Sequence, residues 1–465
     1  MVDAVAPAPS RRLPLWVIIA APTACVLTGV FVLLWFKLPT WAPEWVVEHS
    51  PWVDPIVRAV EEDEDQMADA VAVIAHGGAA RIPAMRAYLT HPTLVVRRVA
   101  ARVLGEFRDP VATEALLIGL DDPDEDMVKD TIKALGQTGD RRALTAMVEF
   151  LDREPPQAST GESGKWLGAL MMALATLPRF SHRDVAEVIL PLPEEYSHRA
   201  GWRFELAGKV SDERVVKALA RALYESENFG WQDKLGGRGG AAARALAYLS
   251  HPDALTVFQH AFASDSAVVR SHAIKGIMFQ SGGLVDPQLI HLVLRSLDDQ
   301  NDEVRSTAAT AFSMLNHPPA EPRLLELSRD TNTKVRIGAM FGLGTKGASE
   351  SAIQRMGEGL SDPEAEVQSS ALGGLRRTKN PLAVKHLIDA FANLEGRQRT
   401  MCVLILSTKP FDQDEQVFPF MLVLAKHPEA EIRSEALETL GRLAVTEAQF
   451  KEVETVRSWK GAPGQ

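Results

Sequence analysis

A chain of 465 residues, 46% hydrophobic, can bury a large interior, yet only 6% of it is aromatic and strand-like runs are nearly missing, which excludes most β architectures. The net charge of −11 falls beyond residue 50, because Arg11, Arg12 and Lys37 cancel Asp3, Glu44 and Glu48 in the first fifty residues. Such acidity argues against a phosphate-tracking surface, so no nucleic-acid partner is expected. Two distant cysteines, Cys25 and Cys402, exclude a disulfide framework or a cysteine-based zinc site.

Residues 1–12 read as a short tail. Arg11 and Arg12 introduce a run of 24 residues, Leu13 to Phe36, without a single charge. At 1.5 Å per residue such a helix spans about 36 Å, enough to cross a bilayer, so residues 13–36 are expected to be a transmembrane helix. Trp16 at one end and Trp35, Trp41, Trp45 and Trp52 at the other suit the two membrane interfaces. A cleaved signal peptide fits poorly, since the apolar core runs on into LLWFKLP without a small-residue site. A lipoprotein site at Cys25 fits poorly too, because the apolar run continues through Val26 to Phe36. Two arginines on the amino side against Lys37 and the more distant Arg58 place the amino terminus in the cytoplasm and the rest outside it, in a periplasm if the source is Gram-negative. Residues 37–61 form an aromatic, proline-rich juxtamembrane connector, and the acidic cluster over 61–65 opens the first helical unit, read as a solvated helix start rather than a calcium loop.

From 62 to 459 one unit recurs. Its clearest copy is residues 361–391: a turn at Asp362 and Pro363, an apolar helix through Val367, Ala371, Leu372 and Leu375, a break at Lys379 to Pro381, then a second helix through Val384, Leu387, Ile388 and Phe391. Aligned copies place Val96, Val128, Val269, Val304, Val335, Val367 and Ile432 in one column, with separations of 32, 141, 35, 31, 32 and 65. These are one, four, one, one, one and two periods, the last pair bridged by a degenerate copy around GRQRTMCVLILS. A hairpin of this size cannot bury its apolar face alone, so about 11–12 pairs must stack into an all-α solenoid, with irregular units at about 152–240.

The Asp-Pro turns, the Val-Arg helix starts and the period resemble the HEAT-repeat family, an armadillo-type fold, including its bacterial PBS-lyase-like variety. In that family an Asp and an Arg form a ladder between neighbouring repeats. The resemblance implies that role here for Arg97, Arg270, Asp299, Arg305, Asp330, Arg336, Asp362 and Arg433. The match is uneven: His91 and His427 stand where Asp is expected, Gln368 replaces the basic residue, and Asp122 precedes Lys129 by seven positions rather than six. The arginine series is read as internal pairing rather than an anion-binding stripe.

Chemistry-bearing motifs are sparse. Gly342, Gly344 and Gly347 match the dinucleotide fingerprint, but they follow a helix where that fingerprint needs a strand, so they read as a repeat-ending turn. GESGKW at 161–166 fails the phosphate-loop spacing. His91, His251, His317 and His427 each precede a proline at a unit boundary and read as turn caps. HEAT-type metalloenzymes such as deoxyhypusine hydroxylase use His-Glu pairs, which this chain lacks. No catalytic, cofactor-binding or metal residue is assigned, and no cofactor is expected. The loop at 225–240, with Phe229, Trp231, Lys234 and Arg238 among glycines, is the candidate partner-binding segment, and a clasp folded back on the array is its equal alternative. The expected function is a membrane-anchored scaffold, accessory to a larger membrane or envelope complex, whose partners are proteins and the bilayer. The alternative is a lyase-like HEAT enzyme or chaperone acting on a cofactor-bearing protein, as the bilin-attaching relatives of the repeat suggest.

Overall fold

A computed structural model describes residues 64–75, 82–107, 110–152, 179–194, 201–226, 237–279, 285–443 and 446–458. Over these the chain is helical throughout and carries no strand. Residues 13–36, the tryptophans at 16, 35, 41, 45 and 52, and Cys25 lie outside the described residues. Among the described residues no helix is long and apolar enough to cross a membrane.

The array, read from sequence as one body, divides into two compact units: residues up to Pro191 together with 197–206, and 192–196 together with everything from Ala207. The first unit contains α1 (Glu64–Ala75), α2 (Ile82–Tyr88), α3 (Leu94–Glu106), α4 (Pro110–Leu116, prolonged by a 3-10 turn to Asp121), α5 (Glu125–Thr138), α6 (Arg141–Asp152) and α7 (His182–Ile189), and α8 (Gly201–Ala207) ends at its boundary. Here α1, α3 and α5 lie side by side in chain order, with α2, α4 and α6 packed against them.

The second unit opens with α9 (Glu213–Tyr224) and continues as seven pairs. Their first helices are α10 (Gly237–Tyr248), α12 (Ala267–Met278), α14 (Asp302–Leu315), α16 (Thr333–Leu343), α18 (Ala365–Thr378), α20 (Gly396–Leu406) and α22 (Ala430–Leu443). Their second helices are α11 (Pro252–Phe262), α13 (Pro287–Arg295), α15 (Glu321–Leu327), α17 (Glu350–Gly359), α19 (Ala383–Ala390), α21 (Val417–Leu424) and α23 (Glu447–Arg457). Each first helix from α10 to α22 touches the next first helix in sequence order. The 225–240 segment is shorter as a loop than the sequence predicts, since residues 237–240 already form the first turn of α10.

The stacking follows from the repeat's own chemistry. Val128, Val304, Val335, Val367 and Ile432 are fully buried, and Val96 and Val269 no more than 4% exposed. Each side chain of this column contributes about 1.5–3 kcal/mol of burial, and a lone hairpin would forfeit it. Backbones approach closely where glycine allows it. A Cβ on Gly342 would sit 2.3 Å from the Ala309 carbonyl oxygen of α14, and one on Gly344 would sit 2.4 Å from Gly374 of α18. The string that imitates a nucleotide fingerprint is thus a packing device.

The turns between repeats are built on one recurring residue. The Asp122, Asp299, Asp330 and Asp362 carboxylates each accept the backbone N–H two residues on, at 2.8–3.0 Å. The same carboxylates receive the arginine of the preceding repeat. Arg97, Arg270 and Arg336 grip Asp122, Asp299 and Asp362 with two bonds each, and Arg305 reaches Asp330 at 3.3 Å. Each of these arginines also donates to the carbonyl six residues before it, as does Arg433. Gln368 keeps only that carbonyl bond, to Asp362 at 2.9 Å. The turn ahead of it holds the buried Leu394 instead of an aspartate, so cation and anion are missing together and no charge is stranded. Arg399 then pairs with Glu429 at 2.7 Å. Where Asp is replaced by His91 or His427, Nδ1 accepts the same N–H, from Thr93 at 3.1 Å and Glu429 at 3.2 Å.

Arg270 is only 7% exposed, so Arg270→Ala strips the guanidinium from the Ser264 carbonyl and from the Asp299 carboxylate, which keeps only the Asn301 N–H. The α12–α14 junction should lose about 3 kcal/mol, read as earlier local opening by hydrogen exchange, while Gln368→Ala should cost about 1 kcal/mol or less. The two cap chemistries also predict separate pH windows. Burial pushes the His427 imidazole below its ordinary 6.5, against the opposing pull of Glu429 and with Arg399 and Arg433 adding to the downward shift. Its cap is therefore whole above pH 6.5 and is lost as pH falls from there through the lower folded value. Burial alone would raise the Asp362 carboxyl, but Arg336 and the Glu364 N–H overcome it and hold it below 3.8, so that cap holds until pH falls beneath 3.8. Exchange protection, corrected for intrinsic rates, should fall in α22 well before it falls in α18, and His427→Asn should abolish the earlier step.

Candidate functional site

Of the segment proposed to face a partner, Phe229, Trp231 and Lys234 lie outside the described residues. Arg238 sits in the first turn of α10 with its guanidinium engaged inside the chain, donating to the Pro193 carbonyl at 2.9 Å and to Glu225 at 2.9 Å. Arg221, which also bonds Glu225 at 2.6 Å, and Arg238 hold that carboxyl below its usual range. Glu225 and Arg238 thus pin the two ends of the 227–236 stretch together. Beside them the buried His272 Nδ1 lies 2.9 Å from the Ser226 hydroxyl. That hydroxyl donates to the Leu223 carbonyl at 2.5 Å, so its proton is committed to the helix and the pair is not arranged as nucleophile and base.

The sequence-predicted ladder residues gather on the edge formed by the turns between repeats, where Arg97, Arg270, Arg305 and Arg336 meet carboxylates; Arg433 departs from the expected ladder, bonding only the His427 and Pro428 carbonyls among the described residues. The opposite edge, formed by the turns inside each repeat, is electrostatically different. There four successive repeats enclose a groove of about 620 Å³. Its polar wall comes from Ser313 and Asn316 at the end of α14, Thr345 and Lys346 after α16, Arg376, Arg377 and Lys379 at the end of α18, and Thr408 and Lys409 after α20.

Arg377 is the structural member of the set. Its guanidinium lies 3.6 Å from the Phe341 ring centroid and donates to the Phe341 carbonyl, and through Nε to the Gly344 carbonyl at 3.1 Å. It thereby caps the carboxyl end of α16 with positive charge. Burial, aided by Arg376, pushes it down to about 10, so it stays a cation at neutral pH. Arg442 performs the same service for α20, donating to the Ser407 carbonyl at 3.1 Å. By contrast Lys346, Arg376, Lys379 and Lys409 are exposed, and among the described residues none has a carboxylate within ion-pair distance.

Lys379 is held in the left-handed region, with φ at +50°. The same helix-ending position is Gly139 after α5, at +66°, and Asn316 after α14, at +45°. The local chemistry is otherwise alike: Thr138 and Thr378 each bond the carbonyl three residues back at 2.7 Å, ahead of the left-handed residue. A side chain with a Cβ pays about 1 kcal/mol or more there, and lysine lacks the short amide with which asparagine offsets that cost. The sequence carried a signal for this edge that composition hides. Thr-Lys recurs at 345–346, 378–379 and 408–409, roughly one period apart. The partners Asp122 and Glu429 were likewise missed, because they sit one or two places off the expected register.

Among the described residues no group of three or more His, Cys, Asp or Glu could hold a metal ion. A family model for HEAT repeats matches residues 53–132, 82–161, 239–313 and 320–402, more than half of the chain. The bilin biosynthesis protein PecE of Mastigocladus laminosus is 38% identical over 130 residues, 28% of this chain and 39% of that protein. PecE of Nostoc sp. is 37% identical over 131 residues, 27% of this chain and 47% of that protein. The chain therefore spans less than half the length of these relatives. Among solved structures, the karyopherin Kap121p bound to the extreme C-terminus of the phosphatase Cdc14p is 13% identical, with 88% of this chain and 51% of that chain covered and a TM-score of 0.43. Importin beta is 15% identical, with 85% and 55% covered and a TM-score of 0.37.

If Lys379 is retained at a backbone cost, Lys379→Gly should raise stability by about 1 kcal/mol. A higher unfolding midpoint for the second unit would show it, and Lys379→Ala, which keeps the Cβ, should show no gain.

Proposed function

We infer that this chain, which belongs to the HEAT-repeat family, is a scaffold that binds a protein partner and is held at a membrane by residues 13–36, as an accessory subunit of a larger complex. The observation that carries the binding role is the open groove across four repeats, whose exposed cations have no carboxylate partner among the described residues, while on the other edge Arg97, Arg270, Arg305 and Arg336 are paired with aspartates. Repeat stacking provides long surfaces without a deep dry pocket, which suits recognition of another protein better than catalysis. The uncharged run over 13–36 and the flanking tryptophans support the anchor, and Arg11 and Arg12 support a cytoplasmic amino terminus with the repeats on the other side.

A second reading draws on the likeness to the PecE proteins over little more than a quarter of the chain. On it the repeats handle a bilin or another cofactor-bearing protein. Mixing the purified chain with free bilin should then shift the pigment's absorption, and an unshifted spectrum removes this reading.

Full-length tagged chain, extracted from membranes in mild detergent after brief cross-linking, should come out with at least one partner in fixed ratio. Removing residues 1–36 should release the chain from the membrane fraction. Recovery of the intact chain only as a clean monomer counts against the scaffold.

A further inference from the structure

We propose that the groove on the inner-turn edge of the second unit takes an extended acidic segment of the partner protein, with Lys346, Lys379 and Lys409 each meeting one carboxylate. This rests on the scaffold reading and adds the chemistry of what the scaffold grips.

Three observations converge. The first is charge: four exposed cations, Lys346, Arg376, Lys379 and Lys409, stand without a carboxylate in ion-pair distance among the described residues of a chain whose net charge is −11. What sets them apart is that all four line one groove. The second is repetition. The Thr-Lys turn comes once per repeat in three consecutive repeats, and neighbouring helices stand about 8–10 Å apart. An extended strand advances about 3.3 Å per residue, so every third residue of a bound segment meets the next lysine. The third is strain. Lys379 occupies a left-handed position that Gly139 and Asn316 fill elsewhere, so its ammonium is displayed at a backbone cost that folding does not require.

The lining separates the candidate anions. Single-stranded nucleic acid is held by stacking on exposed aromatic rings, and the aromatic side chain of this groove, Phe411, is 1% exposed. A flat headgroup surface cannot enter a recess walled by four turns. What remains for a ligand is hydrogen bonding and charge: the Ser313, Thr345 and Thr408 hydroxyls and the Asn316 amide alternate with the cations, a lining suited to peptide groups and carboxylates.

The test uses the full chain in detergent and a labelled peptide with aspartate at every third position, followed by anisotropy. Controls are the same peptide with asparagine, a single-stranded RNA of equal charge, and vesicles of phosphatidylglycerol. The acidic peptide should bind and the asparagine peptide should not. The triple variant Lys346→Glu, Lys379→Glu, Lys409→Glu should weaken binding about tenfold or more. Lys379→Gly should weaken it about threefold with an unchanged or higher melting temperature, which separates binding from folding. Acidic-peptide affinity unaffected by the triple variant overturns the proposal. So does RNA or vesicle binding that exceeds the peptide's and is lost in that variant. If the triple variant still co-isolates with the membrane partner while wild type ignores the peptide, the groove assignment fails and the scaffold stands. If wild type binds the peptide yet comes from membranes only as a monomer, the scaffold reading fails instead.

Discussion

A guanidinium reaching from one repeat to the capping carboxylate of the next is the interaction on which the order of this structure depends. Apolar burial holds neighbouring pairs together, but burial is indifferent to small slides of one greasy face over another. The bidentate grip of Arg97 on Asp122, Arg270 on Asp299 and Arg336 on Asp362 is directional, and it fixes the register at which those faces meet. Each aspartate also orders the turn into the next helix by accepting the N–H of that helix's N-cap residue, two places on. Turn geometry, helix start and repeat spacing therefore share one atom group.

This economy explains how the pattern tolerates substitution. His91 and His427 preserve the cap through Nδ1 but give up the anion. At the junction after α18 both charges are gone: Gln368 is neutral, Leu394 fills the turn, and the link across that edge is the bond from the Gln398 side chain to the Ala365 carbonyl at 3.2 Å. A half-removed pair would leave a desolvated charge, which costs more than the pair is worth. Losing both members leaves a repeat joined by packing and neutral hydrogen bonds.

The two edges of the second unit follow from the same helices. On the edge between repeats, Arg97, Arg270, Arg305 and Arg336 are consumed by the ladder. On the edge within repeats, Arg377 and Arg442 are consumed by helix carboxyl ends, and what is left over is displayed: Lys346, Arg376, Lys379 and Lys409 around one groove. An acidic chain thus gathers four exposed cations around one groove. Partner selection can reside in leftover charge on a surface whose backbone is fixed for other reasons.

The repeat itself is legible in the sequence because burial imposes a period. Val96 through Ile432 recur at the helix spacing that buries them, and the turn residues recur with them. Ladder membership was legible only by register, so Asp122 and Glu429, one or two places out of step, escaped, since a carboxylate's reach absorbs an offset that an alignment does not. Folding alone decided that Arg238 is engaged by Glu225 and the Pro193 carbonyl, that the glycines of 342–344 admit neighbouring backbones, and that lysines from turns about thirty residues apart share one groove. Those facts depend on which surfaces the stacked helices leave uncovered, a property of distances between repeats that no single repeat encodes.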